Sequence, residues 1–238
     1  MDLASAIAAL QANDDATADA AYVLWDLVYP ETLEDLTAIR ANKVAIRQAG
    51  GIPLLVAQLE HGASLSRFNA LGVLRELAWD DEAESKFAIL ESGAVPLLVA
   101  MVESGLLGEK EQAAAALAYL ARDSEACCLA IRDAGGIPPL VALVKRGDDG
   151  RFHACQAFYC LCANNAADMV AVALEFGVDA IFELARRGRM TVGPTRLGAP
   201  GSKRKAALVV AKLFRDCVEF PAPYDIKVAI ASFLQDPR

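Results

Sequence analysis

The sequence has few histidines and lacks the common catalytic motifs. Only two histidines, His61 and His153, occur in 238 residues. There is no HExxH, GxSxG or Walker loop, and no GxGxxG following a strand pattern. The chain therefore offers no motif of a protease, hydrolase or nucleotide-binding enzyme.

Aromatic residues are also scarce, and the chain has no excess of positive charge. Aromatics make up 7% of the chain and hydrophobic residues 55%, a profile rich in Ala, Leu and Val that favours helices over a β-sandwich or barrel. Lys and Arg number 23 against 31 Asp and Glu, which gives a net charge of −8. This balance argues against wrapping nucleic acid or docking on an anionic membrane, because both need basic surfaces.

Long apolar runs and a secretory signal are missing as well. The run Ala94–Val102 is too short to span a bilayer, and Met1–Leu10 has no basic n-region. The six cysteines fall inside helical patterns, which indicates reduced thiols: Cys127, Cys128, Cys155, Cys160, Cys162 and Cys217. We therefore expect a cytoplasmic or nuclear protein, or one found in both, with no membrane span.

An internal repeat is the strongest signal in the chain. AlaGlyGlyIlePro at 49–53 returns as SerGlyAlaValPro at 92–96 and AlaGlyGlyIlePro at 134–138, after steps of 43 and 42 residues. A second series, Gly62, Gly105, Gly147 and Gly188, has steps of 43, 42 and 41. Glycine just past a helix predicts a left-handed backbone there. Proline is suited to the start of a helix, because the amide hydrogen that it lacks would have no partner within the helix at that position. Both series therefore mark helix boundaries.

Each unit contains three apolar segments, and the third has the same pattern in every copy. Apolar residues fall at i, i+4 and i+7: Ala20/Leu24/Leu27, Ala70/Leu74/Leu77, Ala113/Leu117/Leu120, Ala154/Phe158/Leu161 and Ala206/Val210/Leu213. One face of each third helix is therefore predicted to be core. A unit of about 42 residues cannot bury that face alone, so neighbouring units must stack.

The short first segment, the Gly-Ile/Val-Pro turn and the LeuLeuValAlaGlnLeu-type second segment (54–59) resemble armadillo repeats. The period alone also allows the HEAT family, but the turn is more typical of armadillo units. The resemblance implies an all-α, right-handed solenoid of about four to five three-helix repeats. It also implies a non-catalytic adaptor or scaffold whose third helices line a concave groove that binds extended segments of partner proteins.

The repeat boundaries divide the single solenoid, 1–238, into units. A partial N-terminal capping unit covers 1–41, and full repeats cover 42–84, 85–126 and 127–167. A further repeat, 168–217, contains a basic Gly/Pro-rich loop at 188–202, and 218–238 is predicted to be a C-terminal capping helix.

The resemblance places the groove on the helix side shifted by two positions from the core residues. The candidate groove residues are Tyr22, Asp26, Tyr29, Gly72, Glu76, Trp79, Tyr119, Arg122, Gln156, Lys212 and Arg215. Their character runs from aromatic and acidic to basic, so we expect basic or aromatic partner residues at the first end and acidic ones at Lys212 and Arg215. Alternatively, Tyr22 or Trp79 packs between neighbouring units.

The sequence gives little support for catalysis or for a metal. His153, Cys155, Cys160 and Cys162 share one helix, but separations of two residues point side chains in different directions, so small buried thiols are the preferred interpretation. We expect no metal and no cofactor. The less favoured alternative is a helical-repeat lyase, with Asp26 and Glu76 as an acid and base pair.

A second alternative concerns a segment longer than its counterparts. The distance from helix-ending glycine to the next core alanine is 8 residues between Gly62 and Ala70, but 18 between Gly188 and Ala206. The segment is basic throughout: Arg186, Arg187, Arg189, Arg196, Lys203, Arg204 and Lys205. It is a candidate site for an anionic ligand such as a phosphoprotein, a phosphoinositide or, less favoured, nucleic acid, or else a solvated loop without a partner.

Overall fold

A computed structural model describes residues 2–12, 17–29, 36–79, 83–146 and 150–162. Within those ranges the chain forms eleven α-helices and no strand. The helices are α1 (Leu3–Ala12), α2 (Thr17–Val28), α3 (Leu36–Gln48), α4 (Gly51–His61), α5 (Ser64–Trp79), α6 (Ala83–Glu91), α7 (Ala94–Ser104), α8 (Leu107–Ala121), α9 (Glu125–Asp133), α10 (Ile137–Arg146) and α11 (Arg151–Cys162).

Three rows of helices stack along the molecule. First helices α3, α6 and α9 contact one another in order, and so do second helices α4, α7 and α10. Third helices α5, α8 and α11 form the most closely packed row, in which α2 precedes α5, while α1 packs on α2 and α4. The predicted all-α solenoid is confirmed.

The third-helix core pattern is confirmed in three described copies. Nine predicted core residues are buried: Ala70, Leu74, Leu77, Ala113, Leu117, Leu120, Ala154, Phe158 and Leu161. In α2, Ala20 and Leu24 are buried and Leu27 is half-buried. The copy that begins at Ala206 lies outside the described residues. α8 is buried from Ala113 through Ala121, and most of these residues are alanines. Their small side chains let neighbouring third helices approach closely.

The repeated glycine between first and second helices sets the corner of each unit. Gly50, Gly93 and Gly135 have φ of 73°, 75° and 71°, the left-handed region that side chains with a Cβ rarely adopt. The chain direction turns by 80° between α6 and α7 and by 87° between α9 and α10. Proline then stands in the first turn of the second helix, at Pro53 and Pro96.

The prediction of a left-handed backbone at the glycines after the second helices is wrong. Gly62 and Gly105 are extended, with φ of −72° and −64°. Their amides donate to Gln58 O at 3.0 Å and to Met101 O at 2.9 Å. A Cβ at either glycine would lie 2.5 Å from that same carbonyl oxygen. Close approach, and not a special φ, is therefore what favours glycine here.

Polar contacts also join successive units. Arg67 Nε donates to Glu109 Oε1 at 2.9 Å, and the other carboxylate oxygen accepts from the Leu106 amide at 2.9 Å at the start of α8. At the edge of the stack, Arg47 and Glu84 form an ion pair at 3.2 Å between α3 and α6. Glu84 is exposed, so water competes for its carboxylate and the pair contributes little to stability.

No helix within the described ranges is by itself both long and apolar enough to cross a membrane, although α6–α7 and α9–α10 meet that length and composition as bent pairs.

Candidate functional site

The candidate groove set begins on α2, where three predicted groove residues on the helix and just past its end share one face. Tyr22, Asp26 and Tyr29 follow at i, i+4 and i+7, so they point to the same side of the helix. All three are exposed, Tyr22 at 58% and Tyr29 at 56%. Exposed aromatic side chains on one face form a contact surface rather than part of the core.

Gly72 on α5 is buried, and its role is to seat a tryptophan from α2. A Cβ at Gly72 would lie 3.0 Å from Trp25 Cε2, so the Trp25 ring rests on the backbone of α5. The same ring meets Phe68 edge-on, with centroids 5.6 Å apart. Trp25 is not among the groove residues predicted from sequence, although it adjoins the predicted residue Asp26.

The next predicted residue, Glu76, is neutralised by two cations. Its carboxylate accepts hydrogen bonds from Arg75, and Lys43 Nζ of α3 lies 4.0 Å from its second oxygen. The side chains of Lys43 and Glu76 are only 5% and 12% exposed. Glu76 is thus held in a partly buried ion cluster and is not a solvated acid.

Arg75, which the sequence analysis did not select, links three third-row helices. Its guanidinium Cζ lies 5.4 Å from the ring centroid of Tyr29, the residue after α2, and Nη1 donates to Gln112 Oε1 of α8 at 2.7 Å. The combination of stacking and hydrogen bonds fixes the planar guanidinium in the groove. An arginine beside a predicted groove glutamate was the available signal.

Farther along, aromatic rings form a row across α5, α8 and α11. Trp79 meets Tyr119 edge-on at 4.6 Å, and Tyr119 meets His153 edge-on at 5.8 Å. Tyr119 is only 6% exposed, whereas Trp79 is 42% exposed. Burial raises the pKa of Tyr119 to about 12, so its hydroxyl remains neutral at ordinary pH. Trp79 therefore packs between units and still leaves part of its side chain exposed.

Arg122, at the end of α8, lies over this row. Its Cζ is 5.4 Å from the Trp79 ring centroid and 5.6 Å from that of Tyr119. Nη2 donates to the Trp79 carbonyl oxygen at 2.6 Å, and Lys86 Nζ donates to the Arg122 carbonyl oxygen at 2.6 Å. The bond from Nη2 helps to hold the guanidinium over the two rings, and the bond from Lys86 fixes the backbone of Arg122.

The last described residues of this row of third helices are His153 and Gln156 on α11. Gln156 is buried. Burial, aided by the positive charge of Arg75, lowers the pKa of His153, while a hydrogen bond with Gln156 opposes the shift. His153 is therefore a neutral member of the ring row at physiological pH.

Acid is expected to destabilise the fold through His153. Its folded pKa lies below the ordinary 6.5, so the unfolded state takes up a proton first as pH falls through 6.5, and stability is lost from there downward. In urea denaturation between pH 8 and 5, wild type and a His61→Gln control should share this loss. His153→Phe should lose less stability than wild type over this pH range, because the contribution of His153 is removed. A pH profile equal to that of wild type would contradict the assignment of this loss to His153.

The described cysteines behave as packing residues. Cys127 and Cys128 are buried, and Cys128 Sγ donates to Ala121 O at 3.2 Å. Burial raises the pKa of Cys160 to about 11, so that thiol is unreactive near neutrality. No cluster of three or more His, Cys, Asp or Glu suited to a metal ion occurs in the part of the chain that the structure describes.

A separate concavity of about 510 Å³ lies between first helices α6 and α9. Phe87, which is 61% exposed, lines it together with Asp123 and Cys127. Phe87 is therefore an exposed aromatic residue on a row of helices other than the groove row.

Several predicted residues lie outside the described ranges. These are Lys212 and Arg215 of the groove and the whole basic segment, Arg186, Arg187, Arg189, Arg196, Lys203, Arg204 and Lys205. The anionic-ligand alternative accordingly stays a prediction. Of the groove set, Tyr29 and Glu76 both contact Arg75, and Trp79, Tyr119 and Arg122 contact one another.

Comparison with known proteins agrees with this architecture. Residues 40–79 match the model of the Armadillo/beta-catenin-like repeat. A search of curated proteins found no match. One similar solved structure is a designed armadillo repeat protein, 17% identical, with a TM-score of 0.67 and 98% of both chains covered.

Two further designed proteins have the same fold. Computationally designed armadillo repeat proteins for modular peptide recognition are 16% identical, with a TM-score of 0.70 and 98% of both chains covered. A designed armadillo repeat protein in complex with the peptide (KR)4 is 16% identical, with a TM-score of 0.60 and the same coverage. The repeat match and these likenesses confirm the resemblance: the chain contains an armadillo repeat and has the armadillo-repeat fold.

Proposed function

We propose that the protein is a non-catalytic scaffold that holds an extended segment of a partner protein in the groove along α2, α5, α8 and α11. The observation that carries the proposal is the set of exposed aromatic side chains on that row, Tyr22, Tyr29 and Trp79. Tyrosine and tryptophan supply much of the binding energy of protein interfaces, because they combine apolar area with a polar tip.

The groove side chains are held in place before a partner binds. Trp79 rests against Tyr119 and Arg122, and Tyr29 packs against Arg75. Ordering a side chain on binding costs about 0.5–1.5 kcal/mol, so contacts that already restrain these rings reduce that cost. A restrained aromatic surface favours binding of a flexible partner segment.

The dimensions of the described groove suit a short peptide. Helices pack roughly 8–10 Å apart, so four third-row helices span about 25–30 Å. An extended chain advances about 3.3–3.6 Å per residue, which gives about eight residues. A designed armadillo repeat protein of similar fold is in complex with the eight-residue peptide (KR)4, which supports a peptide of this length.

The chemistry of the groove supports binding over catalysis. The charged groups of Arg75 and Glu76 are paired with each other, and the Tyr119 hydroxyl remains neutral because its pKa is about 12. A general acid or base needs a pKa near the working pH and access to a substrate. The sequence offered Asp26 and Glu76 as an alternative acid and base pair. Glu76 is only 12% exposed, so its carboxylate lacks access to a substrate.

Selection from a displayed library of random peptides tests the proposal. Peptides that bind the wild-type protein should lose about 30-fold in affinity on Tyr29→Ala, since an interface anchor contributes about 2 kcal/mol. Phe87→Ala is the matched control, because Phe87 is equally exposed but lies on α6. Failure to recover any peptide, or equal losses in the two variants, would contradict a groove-binding function.

A further inference from the structure

We propose that the concavity between first helices α6 and α9 is a second docking surface, which binds a basic amphipathic helix of a partner protein. The concavity lies on the row of first helices, whereas the proposed groove lies on the row of third helices. The inference therefore goes beyond the proposed function and does not rest on it.

Apolar side chains form the floor of the concavity. Phe87 and Leu90 of α6 line it together with Ala126 and Cys127 of α9. Phe87 is 61% exposed and Ala126 is exposed, while Leu90 is half-buried. An aromatic side chain this exposed, set in an open apolar concavity, is typical of a surface that contacts another protein.

The exposed charges around this floor are negative. Glu84 is left out of the count because Arg47 pairs with it at 3.2 Å. The remaining charged residues of α6, of α9 and of the turn before α9 are four acids and three bases: Glu91, Asp123, Glu125, Asp133, Lys86, Arg122 and Arg132. All four acids are exposed, whereas none of the three bases is. The surface that a partner meets is therefore acidic.

Each of the three bases is directed toward the row of third helices. Lys86 Nζ donates to the Arg122 carbonyl oxygen and Arg122 Nη2 donates to that of Trp79, both at 2.6 Å. Arg132 Nη1 donates to the Leu161 carbonyl oxygen at 3.4 Å. These carbonyls belong to the C-terminal ends of third helices, where the helix dipole offsets a positive charge. The bases therefore do not cancel the acids on the outer face.

The segment that precedes α6 cannot reverse this sign. Residues 80–82 lie outside the described ranges, but in sequence all three are acids: Asp80, Asp81 and Glu82. An acidic rim around an apolar floor is complementary to a partner that combines apolar side chains with lysine or arginine.

The backbone of the partner is expected to be helical. Within the described ranges the chain has no strand, so no sheet edge is offered for pairing. An extended segment over the apolar floor would leave its amides and carbonyls without partners, whereas a helix satisfies them internally. Apolar residues at i, i+4 and i+7 of a helix span about 10.5 Å, which matches the nine residues of α6, about 13.5 Å long.

Three peptides of about 18 residues test the inference on the wild-type chain by fluorescence anisotropy. The first is a helix of Leu, Ala and Lys with leucines at i, i+4 and i+7. The second has Glu in place of each Lys, and the third is the first with two central alanines replaced by proline, which breaks the helix.

We expect the Lys helix to bind at least about tenfold more tightly than either of the other two peptides. In about 1 M salt, where the screening length falls to about 3 Å, its advantage over the Glu helix should nearly vanish. Equal affinities of the Lys and Glu helices, equal affinities of the Lys helix and its proline variant, or no binding at all would overturn the inference.

Truncation of an aromatic residue locates the binding. Phe87→Ala should weaken the Lys helix about tenfold, because the floor loses its aromatic anchor. Tyr29→Ala makes the same kind of truncation in the third-helix groove and should leave the affinity unchanged. Equal effects of the two variants would overturn the assignment to the concavity.

Removal of one carboxylate gives a second, independent measurement. Asp123 has a φ of 57°, a left-handed backbone that asparagine also adopts, so Asp123→Asn changes the charge alone. It should weaken the Lys helix about threefold and reduce the salt dependence of binding. Glu103→Gln removes an exposed carboxylate from α7 and should change neither. Equal effects of these two variants would contradict an acidic rim at the concavity.

The inference and the proposed function fail in different ways. Isolated helices shorter than about 12–15 residues are marginal in water, so peptides of about eight residues present a helical face poorly and report on the groove. If no such peptide binds while the Lys helix responds to Phe87→Ala, only the groove function is overturned. If the Lys helix responds to Tyr29→Ala alone, only the docking surface between α6 and α9 is overturned.

Discussion

Glu76→Lys is expected to lower the free energy of unfolding by about 3 kcal/mol, since removing one member of a buried ion cluster leaves the others uncompensated. The variant would place a third cation beside Lys43 and Arg75, both of which are mostly buried. Urea denaturation at neutral pH measures the change.

Asp26→Lys is the matched control for that variant. It makes the same charge reversal on the neighbouring helix, but Asp26 is exposed, and surface substitutions usually change stability by less than about 0.5 kcal/mol. If both reversals cost the same small amount, Glu76 is solvated and the ion cluster contributes nothing. The sequence alone made the two carboxylates look equivalent.

Tyr119→Ala is expected to cost about 3 kcal/mol of stability and to abolish peptide binding. Truncating a buried aromatic side chain costs about 3–5 kcal/mol, and Tyr119 is 6% exposed. Its ring also supports Trp79, Arg122 and His153. Loss of the ring therefore removes the seat of the groove-lining side chains together with core volume.

Tyr119→Phe separates the ring from its hydroxyl. The ring contacts are retained, so stability should fall by less than about 1.5 kcal/mol and affinity should remain within about threefold of wild type. Denaturation and peptide anisotropy on the three proteins provide the comparison. If Phe is as harmful as Ala, the hydroxyl and not the ring row organises the groove.

The sequence predicted the solenoid because its signals are local and repeated. Glycine at 50, 93 and 135 is required by the backbone at each corner, and the i, i+4, i+7 pattern reports which face of a helix is buried. The left-handed prediction at Gly62 and Gly105 failed for the opposite reason. Glycine is favoured there by a carbonyl oxygen one turn earlier, a contact that composition does not reveal.

The groove was predicted as a set of positions but not as a network. Spacing predicted which side of its own helix each of Tyr29 and Glu76 lies on, since that depends on one helix at a time, and the resemblance to armadillo repeats assigned that side to the groove. The contacts of Arg75 depend on how neighbouring helices stack, because its partners Tyr29 and Gln112 are on α2 and α8. Trp25 was missed for the same reason, as its ring is seated by Gly72 of the next third helix.

Site-specific photo-crosslinking tests the central claim most directly. A photoreactive phenylalanine analogue placed at Tyr29 of the groove, or at Phe87 between α6 and α9, reports which surface a bound peptide touches. The exposed side chains at both positions make the two probes comparable. We expect a selected peptide to crosslink at position 29 and not at position 87. Crosslinking confined to position 87 would contradict binding in the third-helix groove.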